Sequence, residues 1–221
     1  MEQERHILVV LPHPDDETGS SGTLAMHIGQ GTPVTYLCLT LGEMGRNMGV
    51  PPFANRTTLP AIRKQELEQS CAYIGIADLR LGGLHDKTIE FEDRDALIRQ
   101  IADVIEEVRP SLIITFYPGY SVHPDHDACG AAVVGAVKRM AEDARPVVYC
   151  IAFANGCEEA LGEPDVINDV SAYLEVKLSS LQAHRSQFHH MSGVLLLEDE
   201  KLRSRWSKER FWIYRFDESR P

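Results

Sequence analysis

Apolar residues in this chain fall into two kinds of run. Short continuous runs, Ile7–Leu11, Val34–Thr40, Leu112–Phe116 and Val147–Phe153, have the pattern of parallel strands buried on both faces, and Leu79–Leu81 is a weaker run of the same kind. Between them lie longer stretches with apolar positions three or four apart. The first spans about Gly22 to Gln30 and is closed by Gly31. The second, Leu59–Ile74, places Ile62, Leu67, Cys71 and Ile74 at helical spacing, with Gly75 ready to end it. The third, Asp93–Val108, carries Leu97, Ile101, Val104, Ile105 and Val108 and is stopped by Pro110. Ala128–Ala144, rich in Ala and Val, is the fourth. This alternation predicts an α/β fold: a mostly parallel sheet with helices on both faces, core strand order 3-2-1-4-5 and right-handed crossovers. Beyond residue 160 the pattern changes to one amphipathic helix, Asp169–Arg185, and a stretch of mixed polarity, Val194–Pro221. No repeat, linker or low-complexity tract interrupts the chain. The expectation is one domain over 1–221, with a core of about 5–155 and a C-terminal extension of about 156–221.

Composition narrows the class. Of 221 residues, 43% are hydrophobic and 25% charged, the proportions of a soluble domain with a substantial core. No apolar run approaches the ~20 residues of a membrane helix. The polar start, Met-Glu-Gln-Glu-Arg-His, has no signal-peptide character, so a cytoplasmic protein without a membrane partner is expected. The five cysteines form no Cys-x-x-Cys pair and read as small core residues. The net charge of −11 argues against nucleic acid, which needs a basic surface. The densest basic stretch, Lys201–Arg215, is broken by Trp206, Glu209, Phe211, Trp212 and Tyr214 and reads as a packed terminal element.

Candidate chemistry follows two of the strands. Pro12-His13-Pro14-Asp15-Asp16-Glu17 comes straight after the first, and His123-Pro124-Asp125-His126-Asp127 a few residues after the fourth. The predicted order makes these strands neighbours, so both clusters lie at their carboxyl ends, where open α/β sheets bind ligands. His13, Asp16 and His126 can supply two imidazoles and a carboxylate, leaving a position open for water, as in a catalytic zinc site. Fe(II) or Co(II) would accept the same donors. A divalent cation there would acidify its water and polarise a carbonyl. Asp15 is then placed to be the general base. His123, as an imidazolium, can stabilise an oxyanion and protonate a leaving amine, and Asp125 can orient His123 and keep it charged. The bland alternative is that Asp15, Asp16 and Glu17 merely cap a helix. A dinucleotide site is excluded, because no Gly-x-Gly-x-x-Gly follows the first strand and three acids sit where pyrophosphate would lie.

These motifs resemble the LmbE-like or PIG-L-type zinc-dependent N-acetylglucosaminyl deacetylases. The resemblance rests on residues 12–17, Thr40-Leu-Gly-Glu-Met-Gly45, Ile62-Arg63-Lys-Gln-Glu66, His123-Pro-Asp-His126, and Lys177 through His184-Arg-Ser-Gln187. It implies a Rossmann-like three-layer α/β/α fold, zinc held by His13, Asp16 and His126, Asp15 as base, and His123 as acid or oxyanion stabiliser. It also implies a homo-oligomer, a trimer or hexamer.

Leu41-Gly-Glu-Met-Gly-Arg-Asn47, Asp86-Lys-Thr-Ile-Glu-Phe-Glu92 and Thr115-Phe-Tyr-Pro-Gly119 look like the second form of the bacillithiol-pathway deacetylases, which act on N-acetylglucosaminyl-malate. By that analogy the partner is a small sugar conjugate. Arg63 would grip the malate carboxylate bidentately and Asp86 the sugar hydroxyls; a solvated helix face is the alternative for Arg63. The alternative activities are a bacillithiol S-conjugate amidase or deacetylation of another N-acetylglucosamine saccharide, and, remotely, a non-catalytic metal- or sugar-binding protein.

The loop Met44–Arg56 could cover substrate, and Tyr117 and Tyr120 could line the pocket or simply pack. His184 reads equally as a pocket or a packing residue, His189 and His190 as surface residues, and Trp206 and Trp212 as interface or core. Glu43 lies near the site without an assigned role.

Overall fold

A computed structural model describes residues 3–188 and 199–217. The expectation for His189 and His190, and residues 194–198 and 218–221 of the Val194–Pro221 stretch, lie outside the described residues. Seven strands form one sheet in the order β3-β2-β1-β4-β5-β7-β6. β1 (Ile7–Leu11), β2 (Val34–Cys38), β3 (Asp78–Leu81), β4 (Leu112–Phe116) and β5 (Val147–Ile151) run parallel, in the predicted 3-2-1-4-5 order. β1, β2 and β4 are buried at every position, which is why their sequences are continuous apolar runs rather than alternating ones.

Strand parity sorts the core into two layers. Leu8, Val10 and Ile113 face α3 (Arg94–Val108) and α4 (Pro124–Lys138) through Leu97, Ile101, Val133 and Val137. Ile7, Val9, Leu11 and Ile114 face α1 (Ser21–Gly29) and α2 (Leu59–Ile74) through Leu24, Leu67 and Cys71. Gly75 ends α2 at φ +94°, the left-handed conformation that glycine adopts without strain, and its N–H returns to the Cys71 carbonyl.

Two expectations need correction. The fourth helix begins at Pro124, not Ala128, and ends at Lys138, with a separate 3₁₀ turn at Glu142–Ala144. His123 is its N-cap, accepting at Nδ1 from the Asp125 N–H at 3.2 Å, and Pro124 takes the first position, where a missing N–H is harmless. The second cluster is therefore the first turn of a helix.

The C-terminal extension also differs. β6 (Val166–Asp169) stands where a helix start was expected, and α6 is confined to Leu174–Ala183. After α5 (Cys157–Leu161), β6 and α6 come α7 (Glu200–Trp206) and β7 (Lys208–Ile213), which lies antiparallel to both β5 and β6. Phe211 and Trp212 are fully buried, one in each core layer. Glu209 reaches across to α1, accepting from the N–H groups of Gly22 at 3.0 Å and Thr23 at 2.7 Å while pairing with Lys177. The extension thus caps the helix that follows the first cluster. Among the described residues, no helix is long and apolar enough to cross a membrane.

Candidate active site

β1 and β4 pair directly, Ile7 with Leu112 and Val9 with Ile114, so the chain leaves both at the same edge of the sheet. After β1 it folds into a tight turn. The His13 N–H donates to Asp16 Oδ2 at 2.8 Å, and a 3₁₀ turn, Asp16–Gly19, follows. Asp16 Oδ2 lies 3.3 Å from His13 Nδ1, and its Oδ1 lies 3.3 Å from His126 Nε2. One carboxylate thus has an imidazole nitrogen at each oxygen. The far nitrogens have partners too: His126 Nδ1 lies 2.9 Å from the Ser121 carbonyl, and His13 Nε2 lies 3.2 Å from Asp125 Oδ2 and 3.1 Å from Asp86 Oδ1. N–H groups there leave the near nitrogens with lone pairs aimed at Asp16, the arrangement of metal-binding histidines. Phe116 stacks on His126 at 4.0 Å between ring centroids.

Two sets of donors also fall within 4.8 Å of one another, His13/His123/His126 and His13/Asp86/Asp125. The second is already satisfied. Asp125 accepts from the N–H groups of Lys87 at 2.6 Å and Ile89 at 3.2 Å, and Asp86 Oδ2 accepts from the Met44 N–H at 2.9 Å. These carboxylates therefore orient His13.

Charge makes the case for a cation. Asp15, Asp16, Asp86 and Asp125 crowd this corner, and among the described residues the guanidinium paired with them is that of Arg63. Burial raises the Asp16 carboxyl, but His126 and His13 outweigh it and hold Asp16 well below the usual carboxylate range. Asp125, Asp16 and Asp86 overcome burial to raise His13, and Asp16 overcomes it to raise His126. Two imidazoles sharing a carboxylate, in surplus negative charge, fit a divalent ion.

Asp15, the N-cap of the 3₁₀ turn, stands at φ +102°, a left-handed conformation strained for a residue with a Cβ. Its Oδ2 accepts from Arg63 Nη2 at 2.8 Å. Burial outweighs Arg63 and pushes the Asp15 carboxyl up to about 6. Val122, β-branched and at φ +66°, turns the chain just before His123. The His123 and His13 rings meet edge to face at 4.9 Å.

The structure brings Asp15, His123, Asp125, Arg63, Asp86, His13, Asp16 and His126 into one region, with partners that differ in part from those expected. Asp125 does not present its carboxylate to His123. As the second residue of α4 it offers His123 its backbone N–H, while its side chain turns to His13. The expected imidazolium at His123 is not favoured either: burial, then His13 and His126, lower its pKa. With Nδ1 accepting, the neutral ring carries its proton at Nε2 and is still a donor.

Arg63 is not on a solvated face. It is 3% exposed, donating to Gly42 O at 2.9 Å, to Pro14 O and to Asp15. Gly42, at φ +63°, permits this, since a Cβ there would stand 1.8 Å from Arg63 Nη1. Asp86 is likewise buried, with its carboxylate against His13 Nε2 and the Met44 N–H. The sequence carried a signal for Arg63: it shares the inward stripe of α2 with Leu59, Glu66, Leu67 and Ser70.

Among the undecided residues, Glu43 Oε2 accepts from the Asp86 N–H at 3.0 Å. Tyr117 and Tyr120 pack edge to face in the core. Trp212 is core, and Trp206 packs beside Leu178 and Leu181. Two carboxylates of the quoted motifs, Glu17 and Glu66, have buried partners behind the site that the sequence did not reveal. Glu66 binds Ser186 through N–H and Oγ, and Glu17 accepts from Ser70 Oγ and His184 Nε2, both at 2.5 Å, making His184 a buried partner of Glu17. The Met44–Arg56 loop is latched to this segment by Asn47 and Gln187, each side chain bonding the other's carbonyl, and by the Gly49 N–H on Ser186 O.

A family model described as GlcNAc-PI de-N-acetylase, PIG-L, matches residues 8–137. A Bacillus cereus protein named a probable N-acetyl-alpha-D-glucosaminyl L-malate deacetylase 2 is 50% identical over 219 residues, 97% of this chain and 100% of that protein. Among solved structures, N,N'-diacetylchitobiose deacetylase from Pyrococcus horikoshii superposes with a TM-score of 0.72 at 22% identity, over 96% of this chain and 85% of that one. A 4-carboxy-2-hydroxymuconate hydratase from Pseudomonas putida superposes at 0.74 with 20% identity, over 97% of this chain and 99% of that one. These two likenesses establish the fold, which carries more than one chemistry.

Proposed function

The chain belongs to the PIG-L family of de-N-acetylases, and we propose that it removes the N-acetyl group of N-acetylglucosaminyl-malate in a metal-dependent hydrolysis. One observation carries the chemistry: Asp16 lies between the near nitrogens of His13 and His126, with Asp15 next to it in the chain. The substrate rests on the likeness to the Bacillus cereus deacetylase, which extends over 97% of this chain.

In this reading His13, Asp16 and His126 hold the ion, with Asp125 and Asp86 fixing the ring of His13. A divalent cation there, zinc by donor type, supplies Lewis acidity that polarises the acetyl carbonyl and acidifies water. Asp15, with its carboxyl raised to about 6, is ionised at neutral pH and takes the proton of the attacking water. Arg63 holds that carboxylate in one rotamer. His123 donates from Nε2 to the carbonyl oxygen as it becomes an oxyanion. Asp15 then returns its proton to the amine nitrogen, the C–N bond breaks, and acetate and a free glucosamine leave.

Arg63 acts here on Asp15 and is not assigned to the malate carboxylates. Incubation with N-acetylglucosaminyl-malate and, separately, a bacillithiol S-conjugate, read by product mass, tests the assignment. Loss of an acetyl group from the malate conjugate supports it. Cleavage of the S-conjugate alone would make the chain an amidase.

A further inference from the structure

The backbone of Asp15 is held in an unfavourable state, and its N–H, its carbonyl and one carboxylate oxygen are engaged. Its carbonyl accepts from Thr18 N–H at 3.2 Å and Thr18 Oγ1 at 2.7 Å, and its carboxylate accepts from Arg63 at 2.8 Å. Its N–H donates to Glu17 Oε2 at 3.0 Å. A left-handed non-glycine residue is strained and persists only where its surroundings over-determine it.

Glu17 is the anchor of this arrangement. It is fully buried, and its other oxygen, Oε1, accepts from Ser70 Oγ on α2 and from His184 Nε2 just after α6, both at 2.5 Å. Ser70 Oγ continues to Ser180 Oγ on α6 at 2.7 Å. Thus the carboxylate that takes the Asp15 N–H is itself fixed from two helices. A buried ion pair such as Glu17–His184 is weak evidence of stabilisation, since apolar residues of matching volume often replace one without loss. What apolar residues cannot replace is the acceptor for the Asp15 N–H.

We propose that Glu17, braced by His184 and Ser70, is a positioning residue that keeps Asp15 in its left-handed turn and so aims the Asp15 carboxylate. This rests on Asp15 being the base, as read above. Without the acceptor, Asp15 relaxes to negative φ and its carboxylate swings away from Arg63. A misplacement of about 1 Å at a reacting group lowers turnover by roughly 100-fold.

Three variants test this in the metal-loaded protein, read by acetate release from N-acetylglucosaminyl-malate, metal content, melting temperature and crystal structure. Glu17→Met/His184→Leu replaces the ion pair by apolar volume. It is expected to melt near the wild-type temperature with full metal content and unchanged KM, with kcat down about 100-fold and Asp15 at negative φ. Glu17→Gln keeps an oxygen for the Asp15 N–H and is expected to hold kcat within about tenfold. If the double variant keeps kcat within about threefold, keeps Asp15 near φ +100°, or loses no more than Glu17→Gln, the proposal is overturned. Asp15→Asn separates the two readings. Wild-type turnover in that variant overturns Asp15 as base, whereas an inactive Asp15→Asn beside a fully active double variant overturns only the role of Glu17.

Discussion

Arg63 Nη2 stands 2.8 Å from Asp15 Oδ2, while the same guanidinium holds the carbonyls of Gly42 and Pro14. The guanidinium is therefore fixed by the backbone, and through it the carboxylate. Burial raises Asp15 and Arg63 lowers it, leaving the carboxyl at about 6. Only the ionised form accepts a proton, so kcat/KM is expected to rise as pH increases through about 6 and to be lost below it. Arg63→Gln removes the lowering influence and is expected to move that acid limb to higher pH, so activity falls more at pH 6 than at pH 8. A pH–rate profile of both proteins checks this. A limb that does not move assigns it to another group.

Asp125 supports a different imidazole from the one its neighbourhood in sequence suggests. Its carboxylate faces His13 Nε2 at 3.2 Å. Carboxylates behind metal-binding histidines are typically worth roughly 10–100-fold in metal affinity. Asp125→Asn is expected to weaken metal binding by about that factor with the fold retained, measured by titration against a competing chelator. A variant with unchanged affinity returns Asp125 to a role through His123.

His126→Ala removes the imidazole facing Asp16 Oδ1 and its stacking on Phe116, with the helix and strand contacts of both core layers retained. Elemental analysis is expected to find the metal lost while circular dichroism stays that of the wild type. Full metal content removes His126 from the ligand set.

Glu209 joins the C-terminal extension to the start of α1, and its removal leaves Lys177 buried and unpaired. Breaking a buried pair from one side destabilises by about 3–5 kcal/mol. Glu209→Ala is expected to melt on the order of 10 °C lower, at about 2–4 °C per kcal/mol for a chain of this size. A thermal melt within 2 °C of wild type would mean the contact is dispensable.

These residues mark what the sequence could and could not reveal. β1, β2 and β4 are legible because both of their faces are buried, so no polar residue breaks the apolar run. From those strands the meeting of His13 and Asp16 with His126 follows by topology. β7 is not legible, because its inward positions include Glu209 beside Phe211, and a carboxylate on the buried face disguises the alternation. Arg63 is legible only in part: its stripe with Leu59 and Leu67 points it inward, but its acceptors Gly42 and Pro14 lie on other segments. The partner of Asp125 depends on which ring lies nearer in space, and the Glu17–His184 pair joins segments far apart in the chain. Neither choice leaves a local pattern.

The central claim is metal-dependent removal of acetate, and acetate release from N-acetylglucosaminyl-malate before and after chelation tests it most directly. The expected result is one acetate per glucosaminyl-malate formed, abolished when a chelator strips the metal and restored by added zinc. Acetate release that continues at the original rate after the metal has been measured as gone would contradict the account, and so would a metal-loaded protein that releases none.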